Sequence, residues 1–331
     1  MAQTRRRILV TAAVRGPGLE LLHELADLVL DPWLDQRPLR IYNETQLAER
    51  AAEAEADIVI VETDRCSGPL FDRPLLALAS CRGDPTNVDV AGATEAGIPV
   101  LRAPARNADA VAELAVSLLF AATRGVVRAD LDVRAGEVYR DGTIPYQRFR
   151  TWEIAGQTAG LVGLGAVGRA LRWRLRGLGM EVLAYDPYSP EATVSLDELL
   201  ERSDVVSLHA PVNEETRGMV GAEQFAAMKE GAVFLNTARA ALHDTDALVE
   251  ALRSGKVGAA GLDHFEGEHL DTQHPLAQMD NVVLTPHIGG ATYDTETNHT
   301  STIAEDLCRL LAGARPLNLV NPEVWPARKV S

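Results

Sequence analysis

Short apolar runs alternate with longer stretches of helical period from one end of the chain to the other. This is the sequence form of βαβ units, and so of parallel sheets covered by helices. In the first hundred residues Arg7 to Ala12, Asp57 to Val61 and Ile98-Pro99-Val100 predict strands, and Leu19 to Leu28 and Thr45 to Glu55 predict helices. Between Asn107 and Arg124 the apolar positions Val111, Leu114, Ala115, Leu118 and Leu119 recur at helical spacing, with alanine filling much of the rest. That pattern predicts a helix buried almost all round. From Gly125 to Trp152 the chain turns polar, charged and aromatic, which predicts an extended excursion between two units. Six further strands are expected at Gln157 to Val162, Glu181 to Tyr185, Val205 to His209, Ala232 to Asn236, Val257 to Leu262 and Val282 to Thr285. Asp244 suits the N-cap of a helix ending at Ser254 with Gly255 beyond it, and Gly177 and Gly179 close a helix that starts near Ala166. A last helix after Ala291 carries Ile303, Leu307, Leu310 and Leu311 on one face and is expected to return to the first domain.

Composition narrows the partners. A chain of 331 residues suits two domains, and its formal charge of −15 repels phosphate backbones and anionic lipid, so neither nucleic acid nor membrane is an expected partner. No stretch approaches the length of apolar residues a membrane span needs. Arg5-Arg6-Arg7 followed by an apolar run superficially resembles a signal peptide, but Arg15 and Gly16-Pro17 interrupt it, and a first buried strand is the better reading. Cys66, Cys81 and Cys308 are three scattered cysteines, which fits a reduced, cytoplasmic setting and packing thiols better than a disulfide framework.

The sharpest local signal is Gly160-Leu161-Val162-Gly163-Leu164-Gly165-Ala166-Val167-Gly168, following a predicted strand and opening a predicted helix. Gly163 suits the tight turn, Gly165 lets backbone approach a pyrophosphate and Gly168 lets helix meet strand, while Ala166 and Val167 begin a helix whose N-terminus favours anions. Asp186, at the end of the next strand, is placed to accept hydrogen bonds from an adenosine ribose. A carboxylate there disfavours a 2′-phosphate, so NAD is expected rather than NADP. The weaker reading, glycines that merely form a turn, leaves Asp186 unexplained. The fold expected is α/β with two Rossmann-like, doubly wound parallel sheets: a discontinuous domain of residues 1–104 and 292–331, and an inserted domain of residues 105–291.

Three more strand ends carry polar clusters: Asn236-Thr237-Ala238-Arg239-Ala240, Asp263-His264-Phe265-Glu266-Gly267-Glu268 and Thr285-Pro286-His287. With the glycine motif and Leu208-His209-Ala210-Pro211 followed by Thr216, these make the chain resemble the D-isomer-specific 2-hydroxyacid dehydrogenases. The resemblance implies that the inserted domain holds NAD and the discontinuous one the substrate, a small anionic 2-hydroxy or 2-keto acid. It implies His287 as acid/base, Glu268 as its carboxylate partner and Arg239 as the cation that orients the acid and polarises its carbonyl. Val111, His209, Ala210, Pro211, Thr216, Thr237, Ala238 and Asp263 are then expected around the cofactor. No metal site is expected: His243, His264, His269, His274 and His299 lack convincing ligand spacing and are read as solvated or structural.

The chain departs from the family at its substrate loop, Cys81-Arg82-Gly83-Asp84-Pro85-Thr86-Asn87, where many members carry a glycine-rich sequence. Asp84 repels an anionic substrate unless it turns outward or pairs with Arg82. An inward Arg82 suits a second anionic group, phosphate or phosphonate, and an outward one is the competing reading. Cys81 has no base nearby to make it a nucleophile. Family members generally dimerise through the region before the cofactor domain, so a homodimer is expected, with Arg148 and Arg150 as candidates to reach a neighbouring subunit. Two other functions compete: oxidation of formate or phosphite, where formate enzymes carry glutamine in place of Glu268, and an NADH-sensing scaffold or corepressor that keeps the fold without turnover.

Overall fold

The computed structural model describes residues 5–325. The chain divides into two compact units, one reaching Arg106 and resuming at Thr292, the other Asn107–Ala291. The division falls two residues beyond the expected one, at the start of the long helix rather than before it.

In the first unit five parallel strands lie in the order β2-β1-β3-β4-β5. They are β1 Arg7–Val10, β2 Asp27–Leu30, β3 Ile58–Val61, β4 Ala77–Ser80 and β5 Val100–Leu101. Every residue of β3 and β4 is buried, as a parallel strand covered on both faces requires. Two strands differ from expectation. The helix Pro17–Leu25 stops at Ala26 instead of running to Leu28, and Asp27–Leu30 becomes the edge strand β2. β4 lies in an apolar stretch too short to reveal its period. The helix Glu44–Glu53 is held by a capping box in which the Asn43 side chain accepts from Gln46 N while the Gln46 side chain accepts from Asn43 N.

The helix Tyr293–Leu311, capped by Thr292, belongs to this unit. Its Ile303, Ala304, Leu307 and Leu310 share one buried cluster with Ile8, Val10, Leu22, Ile58 and Ile60. It lies against the helix Pro17–Leu25 so closely that a Cβ on Gly18 would stand 2.5 Å from Ser301 N. The turn after β1 is filled by side chains. Thr11 donates to Asp64 at 2.6 Å, Arg106 pairs with Glu62 at 2.6 Å and meets His299 Nδ1 at 2.7 Å, and His299 Nε2 donates to the Ala13 carbonyl at 2.6 Å.

The second unit is a six-stranded, all-parallel sheet in the order β11-β10-β9-β8-β6-β7. Its strands are β6 Thr158–Val162, β7 Glu181–Tyr185, β8 Val205–Leu208, β9 Ala232–Asn236, β10 Val257–Leu262 and β11 Val282–Leu284. The helix Ala108–Arg124 exposes only Asp109, Glu113, Ser117 and Arg124, a single polar stripe at a spacing of about one turn. A Cβ on Gly261 of β10 would meet Leu118 Cβ at 2.9 Å, which shows how tightly this helix lies on the sheet. The helix Thr245–Ser254 starts at Asp244, whose carboxylate accepts from Ala247 N, and ends at Gly255 with φ 81°. The stretch expected as an extended excursion is interrupted by two helices. Gly125, at φ 60°, joins the long helix to Val126–Ala135 across a 61° bend, and Pro145–Arg148 forms a further turn of helix. Its polar composition misled because this helix exposes Val126, Val127, Leu131 and Val133 rather than burying an apolar stripe. Among the described residues no single helix is long and apolar enough to cross a membrane.

Candidate active site

In the second unit the strand order reverses between β6 and β8, and the loops after the strands gather at the carboxyl ends, where open α/β sheets bind ligands. After β6 the chain turns at Gly163, φ 103°, where a side chain would also strike the backbone of His209 and Ala210 within 3 Å. A Cβ on Gly168 would fall 2.1 Å from the Gly163 carbonyl, so helix and turn touch directly. Gly165 differs from both: nothing lies within 4 Å of its missing Cβ, and Gly165 and Ala166 are exposed, with Val167 half-buried behind them. The N-terminus of the helix Ala166–Gly177 therefore faces open space, as a pyrophosphate requires. Asp186 braces this turn, accepting from Leu164 N at 2.8 Å and Tyr188 N at 2.9 Å. A carboxylate has about four acceptor positions, so it keeps capacity for two ribose hydroxyls. The donor set and the cradle fit a dinucleotide.

The chemical groups stand on the loops after β9, β10 and β11. Asn236, buried at the end of β9, accepts from Ala238 N and donates to the Arg239 carbonyl and to His243 Nδ1, which fixes the backbone that carries Arg239. The Arg239 side chain is exposed, donating to the Ala238 carbonyl at 2.6 Å. Thr237, nearly buried, has a hydroxyl with no partner within the protein, a donor available to a ligand.

His287 Nδ1 donates to Glu268 Oε1 at 3.0 Å, which leaves Nε2 outside that bond. Both residues adopt left-handed backbone, His287 at φ 54° and Glu268 at φ 56°, which non-glycine residues seldom do. Asp263 accounts for the first of these. Its carbonyl accepts from His287 N, and its carboxylate accepts from Thr285 Oγ1 at 2.6 Å and from Ile288 N and Gly289 N at 2.9 Å. Asp263 was expected beside the cofactor, but its side chain has no exposed surface, and it serves the site by shaping the turn that presents His287. Gly289 in that turn lies against Val111, which is buried and so forms an apolar wall.

Two loop residues are also occupied structurally. Thr216 donates to the Pro211 carbonyl at 2.6 Å and accepts from Asn213 N, closing the turn after β8 instead of presenting its hydroxyl. The His209 ring bonds Ser207 Oγ at 2.9 Å, and its enclosure pushes its pKa down to about 4, so it contributes a neutral ring beneath the glycine turn. Arg148, expected to reach outward, folds back onto Asp132 at 3.1 Å and onto the Thr143 and Val138 carbonyls. Arg150 is exposed.

One member of the constellation is a histidine whose sequence context suggests only a solvated or structural role. His264, 4% exposed, packs against His287 with ring centroids 3.9 Å apart and planes tilted by 52°, and places Nδ1 3.6 Å from Glu268 Oε1 and Nε2 3.5 Å from Arg239 Nη1. Burial and then the neighbouring His287 push its pKa down to about 4. Its place one residue past Asp263, at a strand's carboxyl end, was the available signal. Beside these groups a cavity of about 950 Å³ opens between the loops after β9 and β10.

In the first unit Arg82 donates from Nε to the Glu62 carbonyl, in the loop after β3, at 2.8 Å and from Nη1 to Thr86 Oγ1 of its own loop at 3.1 Å. Gly83 is half-buried and Asp84 exposed, turned to solvent. The Cys81 thiol is wholly buried, which raises its pKa far above the range of a nucleophile.

Comparison with known proteins agrees with this geometry. Residues 116–289 match the model of the D-isomer specific 2-hydroxyacid dehydrogenase, NAD binding domain. A glyoxylate reductase of Thermofilum pendens is 36% identical over 98% of this chain and 97% of its own. A D-3-phosphoglycerate dehydrogenase of Archaeoglobus fulgidus is 40% identical over 73% of this chain but only 46% of its own length. Among solved structures, a glyoxylate reductase from Paecilomyes thermophila superposes with a TM-score of 0.77 at 28% identity, covering 97% of this chain and all of that one. The glycine turn, the braced His287 and these matches together place the chain in the D-isomer specific 2-hydroxyacid dehydrogenase family, as an NAD-dependent oxidoreductase acting on a CH–OH group.

Proposed function

We propose that the protein reduces a small, unphosphorylated 2-keto acid of the glyoxylate class to its 2-hydroxy acid, the D form where a stereocentre results. The observation that carries the reading is the His287–Glu268 pair, with its free Nε2, in a unit that also presents Arg239. NADH, when bound, supplies the hydride. His287, as imidazolium, gives its Nε2 proton to the oxygen that becomes the hydroxyl, and Glu268 steadies the positive ring. Arg239 offers a fork of donors to the carboxylate and the keto oxygen, withdrawing charge from the carbon that is reduced. Glu268 also supports this chemistry over formate oxidation, for which related enzymes carry glutamine.

A phosphorylated or phosphono acid is the second reading, favoured by the cationic Arg82 and by the phosphoglycerate dehydrogenase relative. Two observations support the simpler acid. Arg82 is engaged by the Glu62 carbonyl and Thr86, and the glyoxylate reductase relative matches at nearly full length on both sides. NADH oxidation measured with glyoxylate, hydroxypyruvate, phosphohydroxypyruvate and phosphonopyruvate separates the two. The proposal expects the first pair to be turned over, with His287→Ala slowing kcat by roughly 10²- to 10⁴-fold. Preference for the phosphorylated pair, abolished by Arg82→Ala, overturns it.

We also infer a homodimer in the reducing cytoplasm. Val126, Val127, Leu131 and Val133 on the helix after Gly125, with Ile144, Tyr146 and Trp152 beyond it, are exposed apolar groups that a second copy would cover. Light scattering should give twice the chain mass, and Leu131→Asp with Val133→Asp should halve it.

A further inference from the structure

We propose that His264, Glu268 and His287 form a reversible, inhibitory site for a zinc-class divalent cation. Two imidazoles and a carboxylate are a donor set that zinc takes in sites that keep one position open. Each residue offers one atom, and the three atoms lie within 4.8 Å of one another. Glu268 Oε1 stands 3.0 Å from His287 Nδ1 and 3.6 Å from His264 Nδ1. Zinc bonds near 2.1 Å at tetrahedral angles separate ligand atoms by about 3.4 Å, so the cluster is within small rotations of the required geometry. The Glu268 side chain is more than half exposed and can make them.

A second observation points the same way. His264 Nδ1 is buried and faces Glu268 Oε1 at 3.6 Å, just beyond hydrogen-bond reach. A buried nitrogen so weakly satisfied calls for a reason, and a cation between it and Glu268 supplies one. The setting is also favourable in charge: Asp244, Asp246, Glu266 and Asp271 line the adjoining cavity, against Arg217 and Arg239.

The functional consequence rests on the proposed role of His287. A cation on Nδ1 replaces the hydrogen bond to Glu268 and occupies the lone pair. With Nδ1 held by the metal the ring cannot carry protons on both nitrogens, so it has no imidazolium proton to give the substrate. Removing the cation restores the pair. No bond to carbon is made or broken, and no electron moves.

The test uses the full chain, treated with EDTA and dialysed. Zn²⁺ is titrated by calorimetry, Co²⁺ by visible absorption, and NADH-dependent glyoxylate reduction is followed alongside. The expected result is one ion per chain, the strong visible bands of four-coordinate cobalt, and inhibition that EDTA reverses. His264→Phe and the more conservative His264→Asn should each weaken binding at least about tenfold. His269→Ala and His274→Ala, whose rings line the same cavity, should bind as the wild type does. Zinc uptake unchanged by both His264 variants, uptake lost in His269→Ala or His274→Ala, or no stoichiometric uptake at all overturns the site. An enzyme inactive on every keto acid that nevertheless takes up zinc with this variant pattern leaves the site standing and removes only the assignment of activity.

Discussion

The two sheets share a winding and differ in what they do with it. Each places its second strand on one side of the first and all later strands on the other, so each has a reversal of strand order beside its first strand. Each also follows that strand with glycines near the start of a helix: Gly16 and Gly18 in one, Gly163, Gly165 and Gly168 in the other. In the second unit the helix N-terminus opens onto empty space at Gly165. In the first, side chains at Gly16 and Gly18 would strike Thr297 and the backbone of Thr300 and Ser301, because the helix Tyr293–Leu311 already lies there. Thr11, Asp64, Glu62, Arg106 and His299 fill the rest of the reversal with mutual hydrogen bonds. Topology thus creates a place for a ligand, and the residues on the loops decide whether the place stays vacant or becomes core.

The largest expected effect breaks the vacant side. Gly165→Leu places a side chain where phosphates would sit without meeting any protein atom at its Cβ, so NADH affinity, measured by fluorescence titration, should fall at least about 100-fold, roughly 2.7 kcal/mol. The melting temperature should hardly change, and an equal loss of stability would show that Gly165 is structural. Gly18→Val is the converse. Its Cβ meets backbone at 2.5 Å, so stability should fall by about 2 kcal/mol in urea denaturation while NADH affinity of the folded protein stays the same.

Acid tests how each unit keeps histidine buried. Burial in the second unit lowers the His243 pKa to about 4, outweighing the opposing effect of Asp244. The unfolded chain takes up a proton near pH 6.5 and the folded one only near pH 4. Stability from this group is therefore full above about pH 6.5 and is lost as the pH falls toward 4, by roughly 2 kcal/mol at pH 5. His243→Gln should flatten that part of the stability–pH curve, and an unchanged slope would assign it to other groups, such as His299 in the first unit, whose pKa burial also lowers. The smallest effect concerns cofactor choice: Asp186→Ser should narrow the preference for NADH over NADPH by about tenfold, about 1.4 kcal/mol in relative kcat/KM.

Much of this was legible in the residues because the second unit's strands are apolar runs bounded by turn signals. β7, β9 and β10 coincide with their expected limits. The first unit was harder. β2 is an edge strand with half-buried and exposed residues, so its pattern merges with the helix before it, and β4 is four residues in a longer apolar stretch. The helix Val126–Ala135 escaped because it lacks the buried stripe by which helical period is recognised. In the site, motifs pointed to Arg239, Glu268 and His287, whose roles follow from residue type at strand ends. His264 was missed because nothing local distinguishes a buried ring from one packed on His287; that needs the long-range approach of the loops after β10 and β11. Asp263 was named from its motif, but its part in shaping the turn was not legible, because its hydrogen bonds all run to residues more than twenty positions away.

The helix Tyr293–Leu311 also sets an order of assembly. The second unit is continuous in the chain and holds all the strands of its own sheet. The first cannot close its core until Ile303 and Leu307 arrive to cover Ile8, Val10 and Ile60. On the ribosome, where domains form as their residues emerge, the amino-terminal sheet must wait with apolar surface bare while nearly two hundred later residues are made and folded. Truncation just before Thr292 should therefore give a cofactor-binding unit attached to an aggregation-prone segment, and dependence on chaperones should reside at the amino terminus.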